Sequence, residues 1–338
     1  MQPQTRFKYN QAMTQLAELN GVKTVSEKFN VEPSIQQKLE EGIQQSSAFL
    51  QKINIFVVNE QSGSAVGLSI TRPIASRTNT DNTDRQATDP TNLDERFYFC
   101  RQTNFDTSIK YRKLDQWAKF KDFYNRFRSV IIKRQALDRI MIGFNGTSIA
   151  TTTDIAANPK LQDVNKGWLQ KMREENESRV MTEGEVGAGD IKVGGTGAHY
   201  KNYDALVMDL KSAMIDEVHQ GNPDLVVLCS QTTVDDKYFP LVNKDQENSE
   251  KLAADIIISQ KRMGGLPVHA VPFFPENTIL ITTYENLSIY VQEGARRRHV
   301  IDNPKRDQIE NYESSNEDYY IEDLGLACMA ENIVLQDA

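Results

Sequence analysis

The sequence predicts an α+β fold in which a compact α/β module is flanked by elongated pieces. Three observations point that way. Residues 202–284 alternate helical and strand-like patterns; residues 114–146 run through a proline-free helical periodicity much longer than an average globular helix. Residues 77–92, RTNTDNTDRQATDPTN, offer a core only Ala87 and Pro90, so they read as a segment that works on something outside its own domain.

At 338 residues, with 39% hydrophobic and 25% charged positions, the chain can build one large domain or two ordinary ones. A formal net charge of -8 argues against a surface given over wholly to gripping nucleic acid. The three cysteines, Cys100, Cys229 and Cys328, are odd in number and far apart, and no charged-then-apolar leader precedes them. A disulfide framework is therefore not expected, and the chain reads as cytosolic. No apolar run approaches the ~20 residues of a membrane-spanning helix, so no membrane partner is expected.

In chain order, Phe7 to Leu19 carries a short helical pattern stopped by Gly21, and a second weak helix follows Pro33 and ends near Leu50. INIFVV (53–58) and VGLSIT (66–71) read as strands around turn material at Ser62 to Ser64. FYFCRQTNFDTSIKYR (97–112) is again strand-like, so the polar stretch caps a long two-stranded projection. From Leu114 to Gly146, Trp117, Phe120, Tyr124, Phe127 and Ile131 recur at spacings of three and four. That predicts one helix of about 30 residues, roughly 45 Å long, stopped at Gly143 or Gly146.

Between Lys110 and Ile140 this rod carries ten Lys/Arg against three Asp, whereas residues 307–338 hold nine Asp/Glu and no Lys/Arg. After a loop at 147–165 come a short helix, KGWLQKMREENE, and a glycine-rich tract, EGEVGAGDIKVGGTG. In the module, Asn202 suits an N-cap, Leu206, Leu210 and Met214 form a stripe, Gly221 and Pro223 stop that helix, and LVVLC is a buried strand. DDKYFPLVNK and SEKLAADIIISQ add helices; PVHAVPFF, TILITTY and LSIYVQ add strands. The tail from Glu293 reads as a long, polar, strand-rich excursion before LACMAENIVL closes the chain.

Motifs for chemistry are scarce. The four histidines never fall at ligand-like spacing, and no CxxC, HExxH or GxSxG occurs, so no metal, cofactor or catalytic residue is assigned. The glycine-rich tract fails the dinucleotide and phosphate-loop patterns and reads as a flexible loop. Arg296, Arg297 and Arg298 form the sharpest charge cluster. It is either a solvated turn or a contact with phosphate or with a neighbouring subunit's carboxylate. Arm, hairpin, rod and ribbon each expose surface that a monomer leaves unsatisfied, and the acidic end and basic rod offer complementary charge across subunits. A lattice-forming structural protein fits.

The chain resembles the major capsid proteins of Peduovirus-type tailed phages along nearly its whole length. The likeness lies in TRFKYN, AELNG, VEPS, LDQWAKFKDF, IIKRQALD, GFNG, LQDVNKGWLQK, DKYFPLVNK, NSEKLAADIIISQKR, ENLSIY and NYESSNEDYYIED. It implies the tailed-phage major capsid fold. Residues 1–50 would be an N-terminal arm with a processed segment, 51–112 an extended-loop hairpin, and 113–201 a peripheral domain with a spine helix. Residues 202–284 would be the axial α/β domain, 285–325 a peripheral ribbon, and 326–338 the closing strand of the axial domain.

The same resemblance implies hexamers and pentamers of this chain in an icosahedral shell, an internal scaffold, a maturation protease, a portal protein, and packaged double-stranded DNA without sequence-specific contact. The tip at 72–95 would lie over a neighbouring subunit, with Arg77, Asp81, Asp84, Arg85 and Asp89 at the seam and Arg296, Arg297 and Arg298 near other contacts. A processing cut is expected at Phe29, Asn30 or Val31, where an uncapped junction separates two weak helices. A cargo-carrying cellular shell of the same fold and a nucleic-acid-processing enzyme are the alternative readings.

Overall fold

The structure is a computed structural model that describes residues 1–70, 75, 77–81, 84–85, 91–117, 123–242 and 261–336. Its helices are α1 (Pro3–Leu19), α2 (Pro33–Gln45), α3 (Tyr111–Trp117), α4 (Phe123–Asn145), α5 (Trp168–Glu175), α6 (Tyr203–Met214), α7 (Glu217–Gln220) and α8 (Gln231–Val242). The strands of the first half are β1 (Phe29–Asn30), β2 (Asn54–Val58), β3 (Ser62–Ile70), β4 (Thr91–Phe99), β5 (Arg101–Asn104) and β6 (Thr107–Lys110). Those of the second half are β7 (Val180–Met181), β8 (Ile191–Val193), β9 (Val226–Cys229), β10 (Arg262–Met263), β11 (Leu266–Ala270), β12 (Ile279–Thr282), β13 (Leu287–Gln292), β14 (Arg297–Asn303), β15 (Gln308–Ile321), β16 (Cys328–Ala330) and β17 (Ile333–Leu335).

Local chemistry fixes many of these boundaries. Pro33 sits in the first turn of α2, where its missing N–H costs nothing, and Gly21 follows α1 in the left-handed region at φ +62°. The Asn202 side chain accepts a hydrogen bond from the Ala205 backbone N–H at 2.9 Å and opens α6. Glycine also permits a close helix contact: a Cβ at Gly167 would fall 2.3 Å from the Gly143 carbonyl oxygen. The start of α5 can thus lie against the end of α4.

Two sheets organise the chain. In the seven-stranded sheet the order is β1-β14-β15-β13-β2, with β5 and β6 also pairing with β15. The six-stranded sheet runs β10-β11-β9-β12-β16-β7. Alternation decides what each of its faces covers. Val226, Leu228, Leu280 and Met329 join the main core with α2, α4, α5 and the seven-stranded sheet. Val227, Cys229, Ile281 and Cys328 point the other way, onto α6 and α8. A third, smaller apolar cluster joins the N-terminal segment to Tyr111, Leu114, Val300 and Ile309.

Four expectations need correction. Ser62 to Ser64 is not a turn: β3 begins there, and β2 pairs with β13, 234 residues on, instead of with β3. The tail is not a solvated excursion, because β15 pairs on both sides at Ser314 and Glu317 and most of it is buried. Its buried carboxylates, Glu313, Glu317 and Asp318, each face a cationic partner. The N-terminal helices pack on their own chain, α2 in the main core and α1 in the third cluster. Where one helix was expected from Leu114, the described residues hold α3 from Tyr111 and α4 ending at Asn145, just before the expected stop at Gly146; residues 118–122 lie outside the described residues, as do the side chains of Phe120, Tyr124 and Phe127. Trp117, expected in a core stripe, is 37% exposed. SEKLAADIIISQ also lies outside the described residues.

Candidate assembly surfaces and the charge network behind them

The β3–β4 ribbon pairs antiparallel from Ser62–Phe99 to Ile70–Thr91 and belongs to neither large sheet. Thr91 to Glu95, expected in the tip, are therefore strand. A two-stranded ribbon is marginal alone, so its root must be fastened. Tyr98 packs edge-on to Tyr290 at 5.0 Å, and Tyr290 stacks on Tyr320 at 5.2 Å. Arg96 lies 4.6 Å above the Tyr320 ring, and its Nη2 donates to the carbonyl oxygens of Ile321 and Glu322 at 2.7 and 2.6 Å. Asp318 completes the fastening: it accepts from the Phe99 backbone N–H at 3.0 Å and forms a buried ion pair with Lys171 at 2.9 Å. On the ribbon's other face Phe97 is 69% exposed, and Arg101 lies 3.9 Å above the Phe99 ring.

Of the seam residues, Arg77, Asp81, Asp84 and Arg85 are exposed, and the Asp81 backbone N–H donates to the Asn79 side chain at 3.0 Å. Asp89 lies outside the described residues. The arginine triplet divides by strand alternation and burial. Arg297 is exposed; Arg298 is half-buried and its Nε donates to Asn311 Oδ1 at 2.7 Å. Arg296 is fully buried, so its assignment as a subunit-contact residue is wrong.

What buries Arg296 is a five-residue ion network that sequence reasoning missed. Arg296 Nη1 donates to Glu40 Oε1 at 2.6 Å, its Nη2 donates to Glu313 Oε1 at 2.6 Å, and Gln135 Oε1 accepts at 3.0 Å. Arg139 Nη1 donates to Glu40 Oε2 at 2.6 Å and Arg139 Nη2 to Glu317 Oε1 at 2.7 Å. Burial alone would push the carboxyls of Glu40 and Glu313 up; the facing arginines outweigh it and hold both below the ordinary value. α2, α4, the start of β14 and β15 are thereby tied at one point. One basic residue of the rod, Arg139, thus meets the acidic tail at Glu317 inside a single chain. The sequence signal is weak: Arg139 leads into the apolar run IMIGF, whereas Glu40 and Arg296 stand among other charged residues.

The processing candidates are also placed differently. Phe29 and Asn30 form β1, paired with Arg298 and Arg297, and Phe29 and Val31 are buried. The junction is capped: the Glu32 carboxylate accepts from the Ile35 N–H at 3.2 Å at the start of α2. Upstream, Arg6 and Tyr111 both donate to Asp302. Burial would raise the Asp302 carboxyl, but these two hydrogen bonds hold it below its ordinary value. Among the described residues no group of three His, Cys, Asp or Glu could hold a metal ion. No described helix is long and apolar enough to cross a membrane.

Comparison with known proteins gives a consistent result. A family model described as phage major capsid protein, P2 family, matches residues 8–333. The capsid proteins of Escherichia phage P2 are 49% identical over 345 residues, covering 100% of this chain and 96% of that relative. The major capsid protein of Serratia phage KSP20 is 40% identical over 338 residues, covering 97% of this chain and 96% of the relative. Among solved structures, a chain of the satellite phage P4 procapsid including size determination (Sid) protein matches with a TM-score of 0.82 and 45% identity. That match covers 100% of this chain and 99% of the other.

Proposed function

This chain belongs to the P2 family of phage major capsid proteins, and on that premise we propose that it builds an icosahedral procapsid of hexamers and pentamers around an internal scaffold. It is a shell-forming subunit with the tailed-phage major capsid fold; assembly in the host bacterial cytoplasm, a portal vertex, enclosure of double-stranded DNA and trimming by a maturation protease complete the reading. It performs no chemistry of its own in this scheme.

The observation that carries the lattice reading is the β3–β4 ribbon, firmly fastened at its root yet outside both sheets and exposing Phe97. Such an element gains little within its own subunit. Laid over a neighbour, it buries its apolar face, and Arg77, Asp81, Asp84, Arg85 and Asp89 form rim contacts of about 0 to 1 kcal/mol each, multiplied over the shell. Arg297 and Arg298 remain candidates for a second contact. Packaged DNA is enclosed without being read, which suits a chain with net charge -8.

Co-expression with a cognate scaffold followed by negative-stain microscopy tests this. Closed shells are expected; a folded chain that stays monomeric with the scaffold present would sink the proposal.

A further inference from the structure

We propose that residues 1–31 are a displaceable intramolecular cap over a docking edge for a second copy of this chain. Two independent attachments define where the cap ends. α2 is held by Glu40 in the buried ion network and by Leu39 and Ile43 in the main core, so it belongs to the body. Everything before it is held by the separate third cluster, where Leu16, Ala17, Val25, Phe29 and Val31 cover Tyr111, Leu114, Val300 and Ile309. Beyond that cluster the ties are β1, paired at two residues, Val31 N–H to Arg296 O at 2.8 Å, Val300 N–H to Val25 O at 2.9 Å, Gln2 N–H to Asp115 Oδ1 at 2.9 Å, His299 Nε2 to Ser26 O at 2.8 Å, and Arg6 latched onto Asp302.

Displacing this segment would leave the outer edge of β14 unpaired beside an uncovered apolar strip. An open strand edge next to an apolar surface is a template for strand addition. The occupant this protein supplies is another copy of itself. It is a shell subunit, and its β3–β4 ribbon is an extended element that belongs to neither large sheet. The short β1 thus blocks premature pairing in the free subunit and is the weakest link when a neighbour competes. This rests on the shell reading but requires no proteolysis, since displacement and removal both open the edge.

The register supplies the test. Val31 bonds to Arg296, so Asn30 and Arg297 face each other as a non-hydrogen-bonded pair, the geometry in which Cα atoms approach to about 4.5 Å and a disulfide can close. The full-length chain carrying Asn30→Cys and Arg297→Cys is oxidised both free and as shells purified from cells. The free chain is expected to form the intrachain disulfide; shells are expected to lose it. Amide exchange of unsubstituted shells is read at Val300, which should stay protected by about a hundredfold or more over an open strand, because a second copy has replaced Val25.

A disulfide forming as readily in shells as in the free chain would overturn the idea, as would fast exchange at Val300. If intact mass shows that residues 1–31 have been cut away, the amide readout alone decides. Absence of shells from the unsubstituted chain would count against the shell reading itself; shells from that chain but none from the Cys variant leave the amide readout to decide.

Discussion

Glu40 and Arg296 form a salt bridge at 2.6 Å although 256 residues separate them and neither side chain is more than 4% exposed. Removing one partner of a buried pair strands the other charge, and Glu40 serves two arginines. Glu40→Gln is therefore expected to destabilise the subunit by about 3 to 5 kcal/mol, read as a lowered denaturation midpoint. Glu41→Gln, one residue along on the exposed side of α2, should leave the midpoint unchanged.

Acid should loosen the N-terminal segment. The Asp302 carboxyl is held below its ordinary value by Tyr111 and Arg6, so it stabilises the folded form at any pH above that value. The contribution is lost as pH falls through the depressed folded value. Protease sensitivity within residues 1–24 is expected to rise below about pH 4 in the wild type. Asp302→Asn should show that sensitivity already at neutral pH.

The ribbon's root depends on Asp318. Asp318→Asn weakens the bond with Lys171 and the grip on the Phe99 N–H, a loss of about 3 to 5 kcal/mol for a buried pair. The expected outcome is faster proteolysis of the ribbon with the six-stranded sheet intact. Equal cleavage rates in variant and wild type would show that the tyrosine stack and Arg96 fasten it without Asp318.

All three thiols should be inert in the folded chain. Cys100, Cys229 and Cys328 are buried, and burial pushes each up to about 12. A maleimide at neutral pH is expected to label none of them until denaturant is added.

Trimming at the candidate site has a mass signature. Particles matured with the protease should contain a chain that has lost the residues up to Phe29, Asn30 or Val31 while retaining α2. Because Phe29 and Val31 are buried and paired, the cut should be slow on the free subunit and require β1 to open. Retention of Met1 in mature particles would remove this prediction.

Much of the local structure was legible in the residues. Pro33, Gly21 and Asn202 mark helix boundaries through backbone and side-chain chemistry that acts within four positions, and LVVLC reads as a buried strand from its run of apolar residues. The family likeness was equally legible, since runs such as NYESSNEDYYIED are specific without any coordinates.

Tertiary structure alone decided where charge is buried. NYESSNEDYYIED looks like solvated ribbon, yet pairing on both sides makes it interior, and Glu313 and Glu317 then require arginines brought in from α4 and from the residue before β14. RRR likewise looks uniform, but strand alternation and burial send Arg296 inward and Arg297 outward. The sequence determines how each segment bends and which face of it is apolar, because those forces are local. Which polar groups lose their water depends on partners hundreds of positions away, and that is settled only when β2, β13 and β15 meet.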